Sequence, residues 1–282
     1  MLYPEEAHTL KFNWPDKLVG KVKINYELQT KANNLNRVYS FDTMATFNIS
    51  KENNIYKVMF NDIQVKHKKI SPQINDKINL LLDIDSNYLD FCLNDKGEII
   101  KLLNYSDYKQ NVLNQINRNN IKAKYSNDLL NELKTEIDAS DYESKLLLNL
   151  QKEWEYLLQF WFNRTLREYY YYTIENFMYV MPSISANAIS GINQFFIQSV
   201  NKKNRTTVLK NIQYIPANTL YKILREKYNI SYINFWMHKY RVRTTYYLET
   251  NIDTLVPKQY VVETSIRLPG VKKDDIITYT FD

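Results

Sequence analysis

The sequence is poor in glycine, with 4 in 282 residues, and it has a single cysteine. Glycine supplies the positive-φ turns and the close backbone approach of phosphate-binding loops, so a glycine-rich nucleotide loop is excluded. One cysteine excludes an intrachain disulfide and a zinc site built from thiolates. Cys92 lies between Phe91 and Leu93, which predicts a buried apolar side chain rather than a nucleophile.

Long apolar runs are also absent. The densest one, residues 154–162, contains Glu155 and Gln159 and falls well short of the roughly 20 residues that span a bilayer, so we expect no membrane span. The N-terminus lacks the basic start and apolar core of a signal peptide. We expect a cytoplasmic protein if Met1 is the native start, and a periplasmic or envelope protein if a signal sequence was removed.

Catalytic motifs are missing as well. The chain has no Gly-x-Ser-x-Gly elbow, no His-Glu-x-x-His pair, no Walker loop and no Rossmann fingerprint. Its three histidines, His8, His67 and His238, are isolated in sequence and form no local metal pair. We therefore predict no catalytic residue, no metal site and no cofactor, and the sequence favours a function without catalysis.

Tyrosine is abundant, with 24 residues, and the net charge is +6. Tyrosine suits pleated, half-buried surfaces, so its excess favours strands. A basic chain is typical of proteins that bind nucleic acid, anionic lipid or an acidic protein. Asparagine, isoleucine, lysine and tyrosine all have A/T-rich codons, however, so base composition is the simpler explanation of the charge.

One long amphipathic helix is predicted over residues 140–163. Ser140 followed by Glu143 forms a capping box at its start. Apolar residues recur along one face at spacings of three and four, namely Tyr142, Leu146, Leu150, Trp154, Leu157 and Trp161. The end of this helix, Trp154 to Phe162, is apolar nearly all round, so we expect it to be enclosed between two sheets or by a partner.

Strand-length segments lie on both sides of the helical middle. Alternation and turn residues predict strands over residues 21–30, 39–50, 56–65, 80–84, 88–93, 99–103, 168–180, 192–200, 206–214, 233–249, 259–268 and 275–281. Shorter helices are predicted over residues 107–117, 127–137 and 218–228, with Ser126 as a possible cap of the second.

This order predicts an α+β fold with two antiparallel β-rich halves flanking a central helical segment. The halves would comprise residues 1–105 and 166–282, with the helical segment at 106–165, and a single domain is also compatible with the pattern. The layout is similar to that of half-open β-barrels that hold a helix in their concave face. Such a likeness of architecture does not give a function.

Two candidate binding surfaces stand out. On a strand, Lys239, Arg241 and Arg243 would share one face about 6.6 Å apart, which suits phosphates or an acidic partner. A solvated outer face is the alternative explanation. Tyr170 and Tyr172, within a run of four tyrosines, form a candidate platform for stacking or for a protein interface. A half-wet central strand would also account for them.

Three functions remain open. The leading hypothesis is a non-catalytic protein-binding module with an acidic partner, such as an immunity protein or a chaperone-like adaptor. The alternative is a half-barrel carrier or sensor of an apolar small molecule in the cell envelope, with a cavity lined by tyrosine, phenylalanine and leucine. Nucleic-acid binding through Lys239, Arg241 and Arg243 is the third, and it would weaken steeply with salt.

Overall fold

A computed structural model describes residues 6–32, 35–70, 80, 84, 89–179, 187–228 and 240–282. The strands are β1 Ala7–Leu10, β2 Lys17–Ala32, β3 Leu35–Glu52, β4 Ile55–Ile70, β5 Phe91–Leu93, β6 Ile99–Leu102, β7 Arg164–Arg167, β8 Tyr172–Tyr179, β9 Ile189–Asn201, β10 Thr206–Tyr214, β11 Arg241–Asn251, β12 Pro257–Leu268 and β13 Val271–Phe281. The helices are α1 Tyr105–Ile116, α2 Asn119–Lys124, α3 Asn127–Asp138, α4 Tyr142–Leu157 and α5 Ala217–Tyr228, with a 3-10 turn at Gln159–Trp161.

Eleven of these strands form one antiparallel sheet in the order β6-β5-β4-β3-β2-β13-β12-β11-β10-β9-β8. The last strand, β13, pairs with β2 from Val271 opposite Ala32 to Phe281 opposite Val22. The predicted α+β fold with two separate β-rich halves is therefore wrong, because the fold is largely a β-sheet with short helices. Alternation shows that a segment is a strand, but it does not show which strand lies beside it. The predicted division at residues 105 and 165 remains a prediction.

The sheet curls around α4. Strands β5 and β9 are second and tenth in the sheet, and eight steps would separate them by about 38 Å if the sheet were flat. The ring of Trp154 lies 5.5 Å from Phe91 on β5, and the ring of Trp161 lies 6.3 Å from Phe195 on β9. The helical rise from Trp154 to Trp161 is about 10 Å. Side chains of these two strands and of α4 belong to one buried apolar cluster, so the sheet is bent around the helix as an incomplete barrel.

The end of α4 is enclosed by the sheet, as the sequence predicts. Trp154, Leu158, Trp161 and Phe162 are all buried, and the indole of Trp154 donates a 2.7 Å hydrogen bond to the carbonyl of Gly97. The segment before β2 crosses the same end of the barrel. There the Trp14 indole donates to the Leu255 carbonyl, and its own carbonyl accepts from the Tyr56 hydroxyl. These bonds fix the helix and both sides of the sheet to one another.

Several local predictions are confirmed, and others are wrong. Ser126 caps α3 by accepting from the amide of Leu129 at 3.3 Å. The predicted capping box does not form, because α4 begins after Asp141 and no side chain caps it. A strand was predicted over residues 80–84, of which 81–83 lie outside the described residues; the amide of Ile84 donates to the carbonyl of Leu80, which is a helical spacing.

Two smaller apolar clusters lie outside the main core. One joins α1, α2 and α3, and the other packs α5 against the far ends of β9, β10, β11, β12 and β13. Within the described residues, no helix is both long enough and apolar enough to cross a membrane.

Candidate functional site

The inner face of the sheet is incompletely covered between the main core and the α5 cluster. Tyr26 on β2 lies directly opposite Phe41 on β3 and Ile277 on β13, and Ile277 lies opposite Val262 on β12. Directly opposed residues share a face, so these side chains and Leu28 line one surface, which we call the groove floor. All five are only partly buried. Water therefore reaches the inner face of the sheet here.

Glu153 on α4 shows that this region is concave. The residue is exposed to solvent, yet desolvation by the surrounding protein raises the pKa of its carboxyl group. We call this exposed position, which has protein around it, the hollow at Glu153. The same carboxylate helps to raise the pKa of Tyr260, after the larger effect of burial, and Tyr260 lies on the inner face of β12. Glu153 therefore faces the sheet across the groove.

A row of polar side chains crosses the inner face beside the groove floor. Cross-strand pairs place five of them in one row, and Asn211 lies diagonally across from Asn193. We call all six the polar belt: Asn193, Asn211, Gln213, Thr244, Thr264 and Asp275. The next row along the strands contains Ile215, Val242 and Ile266 of the α5 cluster, and Lys273 lies opposite Ile266 at its β13 end. The polar belt thus lies between two apolar clusters, where a polar side chain needs a partner.

Part of the polar belt is satisfied. The hydroxyls of Thr244 and Thr264 lie 3.3 Å apart, and the Tyr246 hydroxyl donates to the Gln213 side-chain oxygen at 3.3 Å. The Oδ2 atom of Asp275 forms an ion pair with Lys273 at 3.3 Å, whereas its buried Oδ1 atom has no hydrogen-bond partner. Burial raises the pKa of Tyr26, and the nearby Asp275 carboxylate raises it further.

The asparagines of the polar belt are not satisfied. Asn211 is 1% exposed and Asn193 is 4% exposed. Neither amide atom of Asn211 has a hydrogen-bond partner, and the Asn193 Oδ1 atom has none either. A buried amide without a partner costs about 1–3 kcal/mol, and such groups are rare enough in native structures to require a reason.

A cation lies beside these asparagines. Arg164 points to the same side of β7 as the buried Leu166, and its guanidinium lies 4.3 Å from the ring centroid of Phe160 and 4.9 Å from that of Phe195. Phe195 is directly opposite Asn211 on β10. Desolvation lowers the pKa of Arg164, with no acidic neighbour among its causes. In the part of the chain that the structure describes, no carboxylate pairs with Arg164.

The predicted basic strip lies on the outer face of the sheet. Lys239 lies outside the described residues. Arg241 and Arg243 are exposed, and they donate hydrogen bonds to Ser265 and Thr245. The structure adds cations that are distant in sequence, because cross-strand pairs join four residues, which we call the basic row: Arg241, Arg267, Lys272 and Lys31. Asp274 pairs with Arg267 and lies near Lys272.

The two predicted tyrosines lie in different environments. Tyr172 packs against the main core and stacks on Phe195 with centroids 5.5 Å apart. Tyr170 is 51% exposed and meets the Tyr172 ring edge-on at 4.8 Å. The structure therefore separates Tyr170, at the surface near the edge strand β8, from the basic row on the outer face. Binding by either surface remains a prediction.

One group of possible metal ligands occurs among the described residues, namely Glu6, His8 and Glu168. The His8 ring lies 2.9 Å from Glu168, and Lys202 pairs with Glu6 at 2.6 Å. These ion pairs already account for the cluster. Cys92 is 1% exposed and burial raises the pKa of its thiol, as expected of an inert side chain.

The polar belt was not found by sequence reasoning, although a signal for it exists. Asn193 interrupts the alternating run of Ile189, Phe195 and Ile197 on β9, and Asn211 follows Leu209 in the same way on β10. A polar residue at a core position of a strand is informative. Arg164 had no comparable signal, because only the tertiary structure shows that it lacks an acidic partner.

Comparison with known proteins adds little. No protein-family model matches the chain, and no curated protein matches it. Three chains of solved structures match. One belongs to a structure described as "Lipid-protein interactions in lipovitellin", with a TM-score of 0.42 and 8% identity, and the match covers 95% of this chain and 25% of that one. The present chain spans about a quarter of that chain's length. At this TM-score the likeness shows no function.

Proposed function

We propose that this chain binds an apolar small molecule in the groove of its curled sheet, as a carrier or sensor. The observation that carries the proposal is the groove floor, where aromatic and aliphatic side chains on the inner face stay accessible to water. Ligand sites are typically concave and mostly apolar, with a few convergent polar groups. The groove floor, the hollow at Glu153 and the polar belt fit that description. An envelope location remains a prediction from the sequence.

Burial of the groove floor supplies the driving force. Four of its five residues, Tyr26, Leu28, Phe41 and Ile277, pack against none of the three apolar clusters. Removing apolar surface from water contributes about 25 cal/mol of favourable free energy per Å². A ligand that covers the groove floor therefore gains affinity without any specific polar contact.

Adjacent residues on opposite faces of β13 allow a matched test. Ile277 lies on the groove floor, whereas Ile276 is 42% exposed on the outer face. Titration with N-phenyl-1-naphthylamine, a neutral fluorescent apolar probe, measures binding to the native chain, I277K and I276K. We expect saturable binding to the native chain, at least a tenfold loss in I277K, and affinity within twofold of native in I276K. No saturable binding to the native chain, or equal losses in both variants, would refute the proposal.

We also propose, as a second candidate function, that the basic row binds an acidic protein partner. Like charges directly opposite on neighbouring strands are destabilising, yet Lys31, Arg241 and Lys272 are exposed together. The positive potential of these three side chains is complementary to an acidic protein surface. Docking on the outer face would leave the groove free, so both functions can coexist.

Charge reversal tests this second proposal. K31E/K272E removes two cations of the basic row, and K21E/K23E makes the same change of charge on exposed residues at the other end of β2. We expect K31E/K272E to weaken polyglutamate binding at least fivefold more than K21E/K23E does, and the difference to shrink with added salt. Equal weakening by both pairs would show only a general effect of net charge. Tighter binding of single-stranded DNA than of polyglutamate would favour a nucleic acid instead.

A further inference from the structure

Three of the five buried polar atoms without a partner among the described residues lie on β9 and β10, in Asn193 and Asn211; the other two are the Tyr39 hydroxyl on β3 and the Asp275 Oδ1 atom on β13. Arg164 contributes guanidinium N–H donors without an acidic partner, and its Nε–H donates to the Phe160 carbonyl. Asn211 contributes an amide with no partner on either atom. Phe195 links them, because Arg164 lies over its ring and Asn211 is its cross-strand neighbour. Opposed Cβ atoms lie about 4.5–5.5 Å apart, so the guanidinium and the Asn211 amide both border the Phe195 side chain.

We propose that the ligand of the groove is a single-chain amphiphile with an anionic head, which Arg164 and Asn211 bind at the β9–β10 side while its tail covers the groove floor. The proposal rests on the proposed apolar-ligand function and adds the class of head group. A guanidinium matches a carboxylate or a phosphate through two parallel hydrogen bonds. The Asn211 amide then donates to the same anion.

The other charged groups of the groove support this orientation. Glu153 faces Tyr260 on β12, and Asp275 on β13 is paired with Lys273. Strand β12 is three steps from β9 in the sheet, which is about 14 Å along a flat sheet. An anion is repelled by the Glu153 carboxylate at the β12–β13 side, where Lys273 already pairs with Asp275, and it is attracted at the β9 side by Arg164, with which no carboxylate of the described residues pairs. The charge distribution therefore sets which end of the groove holds the head.

The burial of the asparagines points to the same site. A half-buried cation without an anion and a buried amide without partners are each unfavourable. One anionic oxygen pair neutralises Arg164 and accepts from the Asn211 Nδ2 group, which leaves only the Oδ1 atom of this amide without a partner. Asn193 lies diagonally across the strand pair from Asn211, where Cα atoms are about 7–8 Å apart, and it forms the outer boundary of this site.

The test uses four ligands that share one oleoyl chain: oleate, oleoyl lysophosphatidate, oleamide and methyl oleate. Each displaces N-phenyl-1-naphthylamine from the full chain at pH 8, where the carboxyl group of oleate is ionised. We expect at least one of the two anions to bind tenfold or more tightly than oleamide and methyl oleate. The tighter of the two anions identifies the head as a carboxylate or a phosphate.

Two arginines on opposite faces of β7 provide the matched variants. Arg164 points inward, and Arg167 is exposed. R164M should lower the affinity for the preferred anion at least tenfold, to that of methyl oleate, and leave methyl oleate itself within twofold. R167M should leave every ligand within twofold. If R164M does not fold, N211L serves as the second variant and should weaken the anion three- to tenfold.

The outcomes separate this proposal from the one on which it rests. Equal binding of all four ligands to the native chain would keep the apolar groove and overturn the anionic head. Anion preference that survives R164M would overturn the role of Arg164. Binding of none of the four, together with no binding of the fluorescent probe, would overturn the proposed function itself.

Discussion

Replacing Asn211 by leucine should stabilise the protein, which is the opposite of the usual result of changing a core residue. Asn211 is 1% exposed, and both of its amide atoms lack a partner. Leucine has the same number and branching of side-chain heavy atoms, carries no polar atom, and would meet the apolar neighbours Leu209 and Phe195. The substitution removes a desolvation penalty of about 1–3 kcal/mol. We therefore expect the free energy of unfolding of N211L to rise by about that amount.

Urea unfolding in the absence of ligand measures this change. An unchanged m-value would show that the surface exposed on unfolding is the same. For a chain of this size, each 1 kcal/mol corresponds to about 2–4 °C in Tm, so thermal unfolding should show an increase of at least about 2 °C. The gain in stability should accompany the loss of anion affinity expected above, as is common where a site is built from unsatisfied groups.

A matched control is available on β2. The Asn25 side chain donates to Asp42 on the neighbouring strand, so its amide has a partner. N25L should lower the free energy of unfolding by about 0.5–1.5 kcal/mol because that bond is lost. A loss of more than about 1 kcal/mol in N211L would show that the Asn211 amide is satisfied in solution, for instance by a buried water. The argument for an anion site at Asn211 would then fail.

Three further predictions concern the enclosed helix and the groove. G97A should destabilise the protein by about 1–3 kcal/mol, because Gly97 has φ +78° and a Cβ there would collide with Phe162. Urea unfolding measures this loss, and an unchanged midpoint would contradict the close packing of Gly97 against Phe162. W154F should lower the free energy of unfolding by about 1–3 kcal/mol, because the Gly97 carbonyl loses its indole donor. In the same assay W154A should lower it by about 3–5 kcal/mol, because the substitution also leaves a cavity. Burial raises the pKa of Glu153 above its ordinary 4.5. The free energy of unfolding therefore falls as the pH rises from the pKa of Glu153 in the unfolded chain through its higher pKa in the folded protein. E153Q should be more stable than the native chain at pH 7 and equal to it near pH 4, and parallel stability profiles of the two proteins would contradict the hollow.

The sequence by itself determined most of the local structure. Period-two alternation placed the strands, and the 3.6-residue pattern placed α3, α4 and α5, because side-chain burial follows from backbone geometry within a single element. Turn residues marked the hairpins, as at Asn53 and Asn54, which both have positive φ. The apolar end of α4 predicted its enclosure, since such a surface is not stable in water.

Only the tertiary structure decided how these elements are arranged. The pairing of β13 with β2 joins residues more than two hundred positions apart into one sheet, and no local pattern records a choice of neighbour. The same pairing assembles the basic row from four strands. The tertiary structure also places Arg164, with which no carboxylate of the described residues pairs, over the ring of Phe195 and so near its cross-strand neighbour Asn211. The groove floor stays accessible to water because, among the described residues, the sheet extends past the part of its inner face that α4 covers.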